Sequence, residues 1–98
     1  MKSGKVVKPK NPAQDPEATP DSLIALLGKD EATNRLLAKH PMASAELLEK
    51  LSHSSDKVTR QAVAGNPNTP QEIFVKLGQQ FPKEFLANPV LDLLLYYF

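Results

Sequence analysis

The sequence predicts an all-α fold built from about three two-helix repeats of 24–26 residues, and three observations carry that reading. The first is the stretch Asn66-Pro67-Asn68-Thr69-Pro70-Gln71-Glu72-Ile73, which stops one helix and starts another within four residues. The second is an apolar stripe written three times in helical register. The third is a set of apolar pairs at a fixed distance before His40-Pro41, Asn66-Pro67 and Asn88-Pro89.

The stretch at Asn66 is local physics. The Pro67 ring pushes Asn66 out of the α region and ends the preceding helix. Thr69 is placed to cap a new one, with Pro70 at its first position and Glu72 completing a Thr-x-x-Glu capping box. Thr19-Pro20-Asp21-Ser22-Leu23 matches Thr69-Pro70-Gln71-Glu72-Ile73, and Ala43-Ser44-Ala45-Glu46-Leu47 lies between them. The anchors Pro20, Ser44 and Pro70 are 24 and 26 residues apart. Behind them come Leu23, Ile24 and Leu27, then Leu47, Leu48 and Leu51, then Ile73, Phe74 and Leu77, one helical stripe in each case. Four residues before the turn prolines stand Leu37, Val63 and Phe85, and three before stand Ala38, Ala64 and Leu86. Each unit is therefore a helix, a turn and a second short helix.

In the first unit Gly28 is set to end the first helix in a left-handed conformation, and Asp30 to cap the second, whose apolar face is Leu36, Leu37 and Ala38. The second unit runs from Ser44 through the turn His53-Ser54-Ser55. Ser55 is read as the cap of a helix that points Val58, Ala62 and Val63 inward and ends at Gly65. The pairs Glu46/Lys50 and Glu72/Lys76 are spaced for solvated i,i+4 contacts. The third unit is shorter, with turn prolines 22 rather than 26 residues apart, and Pro82 opens an abbreviated second helix holding Phe85 and Leu86. After Asn88-Pro89, Leu95 and Tyr96 fall in register with Ile73 and Phe74, so a fourth repeat is begun and left incomplete.

Composition is that of an ordinary globular chain, 98 residues with 41% hydrophobic and 23% charged side chains. The absence of cysteine excludes disulfides, thiolate metal ligands and cysteine nucleophiles. No apolar run approaches the ~20 residues of a membrane helix, and no signal-peptide core is present, so a cytoplasmic location is expected. Residues 1–18 hold Lys2, Lys5, Lys8 and Lys10 against Asp15 and Glu17, together with Pro9, Pro12 and Pro16. Such a segment buries too little surface to offset its ordering entropy and reads as a flexible arm, which leaves 19–98 as the folded, nearly neutral domain.

The residues from Glu46-Leu47-Leu48 through Val63-Ala64-Gly65-Asn66-Pro67-Asn68-Thr69-Pro70 resemble the variant leucine-rich repeat family. The resemblance covers about residues 19–98 and is strongest at 43–77. It implies a right-handed helical solenoid with units of about 24 residues, in which a layer of α-helices stacks on a layer of short α or 3₁₀ helices. The first unit departs from the pattern by lacking Asn-Pro-x-Thr-Pro, and the third by its short second helix. Some family members hold an iron–sulfur centre on a cysteine cluster, for which this chain has no residues. A HEAT-like array, with repeats of about 40 residues, fits the spacing less well.

No set of residues points to catalysis, a cofactor or a metal. His40 and His53 are the only histidines, and neither lies in a nucleophile motif. His40, before a turn proline, reads as structural or solvated. Gly4, Gly28, Gly65 and Gly78 stand too far apart to cradle a phosphate. The expectation is a non-enzymatic protein-interaction scaffold that docks a partner or a second copy through its concave face or its C-terminal end. Terminal repeats normally present a polar outer face, yet Leu93, Leu94, Leu95, Tyr96, Tyr97 and Phe98 are all apolar or aromatic. They either fold back over the third unit as a cap or form an interaction patch, unless the chain is a fragment of a longer array. The alternative function is nucleic-acid binding through Lys2, Lys5, Lys8 and Lys10 in the N-terminal arm.

Overall fold

The computed structural model describes residues 11–96, and among them the chain is all-helical, with no strand. A 3₁₀ turn, Pro12–Gln14, is followed by α1 (Pro20–Ile24), α2 (Glu31–Lys39), α3 (Ala45–Ser52), α4 (Lys57–Gly65), α5 (Gln71–Gln80), α6 (Pro82–Ala87) and α7 (Val90–Tyr96).

Most helix starts carry a side-chain cap. Thr19 and Ser22 form a reciprocal capping box on α1, with Pro20 at its first position. Ser44 accepts from the Leu47 amide at 3.2 Å, and Asp30 from the Thr33 amide at 2.7 Å. Gly28, with φ 85°, turns the chain between α1 and α2 in the expected left-handed conformation. Two capping expectations are corrected. Asp56, not Ser55, caps α4, accepting from both the amide and the hydroxyl of Thr59. Thr69 does not cap α5: its buried hydroxyl donates to the Val63 carbonyl at 2.7 Å, and Pro70 occupies the cap position without a side-chain bond. The Val63 carbonyl, near the end of α4, thus accepts both the Asn66 amide and the Thr69 hydroxyl.

The 3₁₀ turn packs against α2, α2 against α4, and α4 against α6, while α3 packs against α5 on the other side. In the second and third units the two helices also contact each other, α3 with α4 and α5 with α6. Between the two sets lies a core containing Leu23, Leu37, Leu47, Leu48, Leu51, Val63, Phe74 and Leu77. Burial corrects one inward assignment: Val58 is 41% exposed while Thr59 beside it is buried, whereas Leu36 and Ala62 are partly buried and pack against the core; Leu86 is 70% exposed. At the short third unit α5 and α6 share Phe81 as a common cap, and the Phe85 ring stacks on Phe74 with centroids 4.5 Å apart.

Four turns have the same hydrogen bonds. In each, a side chain accepts from the backbone N–H two residues on: Asp15 from Glu17, His40 Nδ1 from Met42, Asn66 from Asn68, Asn88 from Val90. In each, the same residue's carbonyl accepts from the amide three residues on, at Ala18, Ala43, Thr69 and Leu91. The side chains then reach backward. Asn88 Nδ2 donates to the carbonyls of Ala64 (2.9 Å) and Asn66 (3.2 Å), and Asn66 Nδ2 to those of Ala38 (2.9 Å) and His40 (3.1 Å). His40 Nε2 lies 2.7 Å from the Asp15 carbonyl. Since Nδ1 accepts an N–H, the ring is held as the neutral Nε2–H tautomer. His40 is thus a buried structural residue, the histidine counterpart of Asn66 and Asn88.

These bonds make two further corrections. Residues 11–18 belong to the packed structure, with Ala13 buried against α2, so that part of the expected arm is folded; residues 1–10 lie outside the described part. Counting from the turns, Thr19 aligns with Ser44 and Pro70, which places Leu23 with Leu48 and Phe74, and all three are fully buried. The stripe of the first unit is therefore one residue out of the register expected from its Thr-Pro dipeptide.

Candidate interaction surface at the C-terminal end

The helical layers end at α6 and α7, where apolar side chains remain in solvent. In α7, Leu93 and Leu95 are each 61% exposed and Tyr96 is 83% exposed; Val90, Leu91 and Leu94 are half-buried, and none is buried. Helix α7 packs on α6, which contributes the exposed Leu86. Of the residues expected to form this surface, the structure brings Leu93, Leu94, Leu95 and Tyr96 together on one helix, while Tyr97 and Phe98 lie outside the described residues. Lys2, Lys5, Lys8 and Lys10 lie outside them as well.

Leu86 stands at the position of Ala38 and Ala64, three residues before the turn proline, and those two are buried. The difference is positional. Ala38 and Ala64 have their carbonyls bonded by the next turn's Asn66 and Asn88, and among the described residues no side-chain donor reaches the carbonyl of Leu86.

Polar links also cross between second helices. Arg35 donates to both carboxylate oxygens of Asp56, at 2.7 and 2.9 Å, in a bidentate pair. That pairing, with the Thr59 bonds, holds the Asp56 carboxyl well below the usual carboxylate range and pushes the Arg35 guanidinium upward. The Thr33 amide lowers Asp30 in the same direction. One unit further on, Gln61 Nε2 donates to Glu84 at 2.6 Å. Arg35, Gln61 and Lys83 stand at the same position, five residues before their turn residue, and Lys83 is exposed without an ion pair among the described residues.

Two shallow grooves line the flanks. One, of about 770 Å³, runs between the end of α3 at Ser52 and His53 and the α5 residues Gln71, Ile73 and Lys76. The other, of about 460 Å³, lies over α4 between Lys39, Val58 and Glu84. Among the described residues no group of three or more His, Cys, Asp or Glu side chains is arranged to hold a metal, and no helix is long and apolar enough to cross a membrane. Comparison with protein-family models, curated proteins and solved structures returned no match to this chain.

Proposed function

We propose that this chain is a non-enzymatic interaction scaffold, a short right-handed solenoid of variant leucine-rich-repeat type, that docks a protein through its C-terminal end. The observation that carries the reading is the set of solvent-facing aliphatic side chains Leu86, Leu93 and Leu95 on adjoining helices. Contiguous exposed apolar surface on a soluble protein marks interfaces. The recurring turns at Asp15, His40, Asn66 and Asn88 support the repeat reading, and the close packing of α2, α4 and α6 supports a stack that curves toward that layer.

The test uses the immobilised full chain against the Leu93→Glu/Leu95→Glu variant. Both positions are largely exposed, so the substitutions leave the fold within about 0.5 kcal/mol. The wild-type chain is expected to capture a defined partner from its native source, or to self-associate, and the variant to do neither. A wild-type chain recovered alone and monomeric at high concentration contradicts the reading.

A further inference from the structure

We infer that the open edge of α6 is a docking site for a helix of another protein, one that ends in an Asn-like side-chain N–H donor and carries a carboxylate near its start, seated on α6 as α6 seats on α4. The inference rests on the scaffold reading and names the chemistry of the partner.

Three recurring contacts join neighbouring second helices, and at α6 the receiving half of each is present. The first is the turn donor. Asn66 bonds the carbonyls of Ala38 and His40, and Asn88 bonds those of Ala64 and Asn66. The next acceptor in this series is the carbonyl of Leu86; Asn88 itself is buried, and its carbonyl takes the Leu91 amide as His40 takes Ala43 and Asn66 takes Thr69. The second contact is polar. Arg35 reaches the carboxylate of Asp56, Gln61 that of Glu84, and Lys83 at the equivalent position stands in solvent. The third is apolar. The buried Ala38 and Ala64 are replaced by Leu86, which is 70% exposed, so the partner needs a recess of small side chains opposite it.

A second copy stacked head to tail does not meet these needs. The first turn among the described residues presents Asp15, whose carboxylate has no N–H to give. Set against the carbonyl of Leu86 it places oxygen against oxygen. The partner that fits resembles α4 of this chain, which begins at the Asp56 cap and ends at Asn66-Pro67.

The probe is therefore a lactam-bridged helical peptide carrying residues 55–68 of this sequence, titrated into the ¹⁵N-labelled full chain and followed by amide shifts. Saturable shifts confined to residues 82–94 are expected. Replacing Asn66 by Asp in the peptide, or Lys83 by Glu in the chain, is expected to weaken binding roughly tenfold or more. A peptide with Asp56→Lys is expected to recover binding to the Lys83→Glu chain. Four results overturn the inference: no shift at millimolar peptide, equal binding by the Asn66→Asp peptide, shifts centred on α2 and α4 through displacement of the chain's own helix, or concentration-dependent shifts at Lys83 and Leu86 without peptide, which make a second copy the occupant. If the peptide fails while the Leu93→Glu/Leu95→Glu chain still loses its captured partner, the scaffold reading stands and the α6 site falls.

Discussion

At the scale of single residues, the structure depends on buried amides that replace backbone partners. Asn66 is buried and satisfies two carbonyls of the preceding unit and one amide of its own turn. Asn66→Ala removes the donor and the acceptor together, and a buried group left unsatisfied costs about 1–3 kcal/mol. A loss of roughly 2–4 kcal/mol is expected in urea unfolding, and a change near zero would mean that water already serves those carbonyls. Asp56 makes a different contribution, because its carboxyl is held low by Arg35 and Thr59. A carboxyl with a folded pKa below its unfolded value of about 3.9 adds stability that is complete above that pH and is lost as pH falls through the folded value. Thermal unfolding should therefore show a steep loss of Tm below about pH 4, shallower in Asp56→Asn; parallel curves for the two proteins would remove Asp56 from the acid transition.

At the scale of elements, α5 and α6 approach each other closely at Gly78. A Cβ at Gly78 would meet the Phe85 ring, with Cγ at 2.8 Å and Cε1 at 2.9 Å, and that ring is stacked on the buried Phe74. Gly65, at the end of α4, has only Glu84 side-chain carbons at 3.9 Å and beyond. Gly78→Ala gains up to about 1 kcal/mol of helix propensity but collides with the ring, and overpacking of this kind costs roughly 1–3 kcal/mol. Gly65→Ala meets no such contact and should be neutral or stabilising by about 0.5 kcal/mol. Denaturation of the pair checks the junction, and equal effects would show that Phe85 swings aside freely. The helices themselves were legible in the sequence because their caps and apolar stripes are local signals. Their register was less so. Thr19-Pro20 and Thr69-Pro70 read alike, yet the first threonine caps a helix and the second bonds back to Val63, a difference set by contacts outside the dipeptide. Residues 11–18 escaped for a related reason. Asp15-Pro16 has the turn's spacing to His40-Pro41, but it sits in lysine- and proline-rich sequence and carries an acid where the later turns carry histidine or asparagine.

At the scale of the whole molecule, the two ends of the described chain differ. On the N-terminal side the 3₁₀ turn buries Ala13 against α2, and the Asp15 side chain accepts an amide. On the C-terminal side Lys83, Leu86, Leu93 and Leu95 are exposed. The sequence placed the apolar residues Leu93 to Tyr96 at this end, whereas the exposure of Leu86 was not legible, because its spacing before the turn proline matches that of the buried Ala38 and Ala64. The proposed function draws on the exposed aliphatic side chains on the C-terminal side. The most direct measurement is amide hydrogen exchange on the full chain, free and in complex with the partner it captures. Protection gained over residues 82–96, with Thr19 to Leu27 unchanged, is the predicted result. Protection gained instead along the grooves beside α3 and α4, or no complex to measure, would contradict the account.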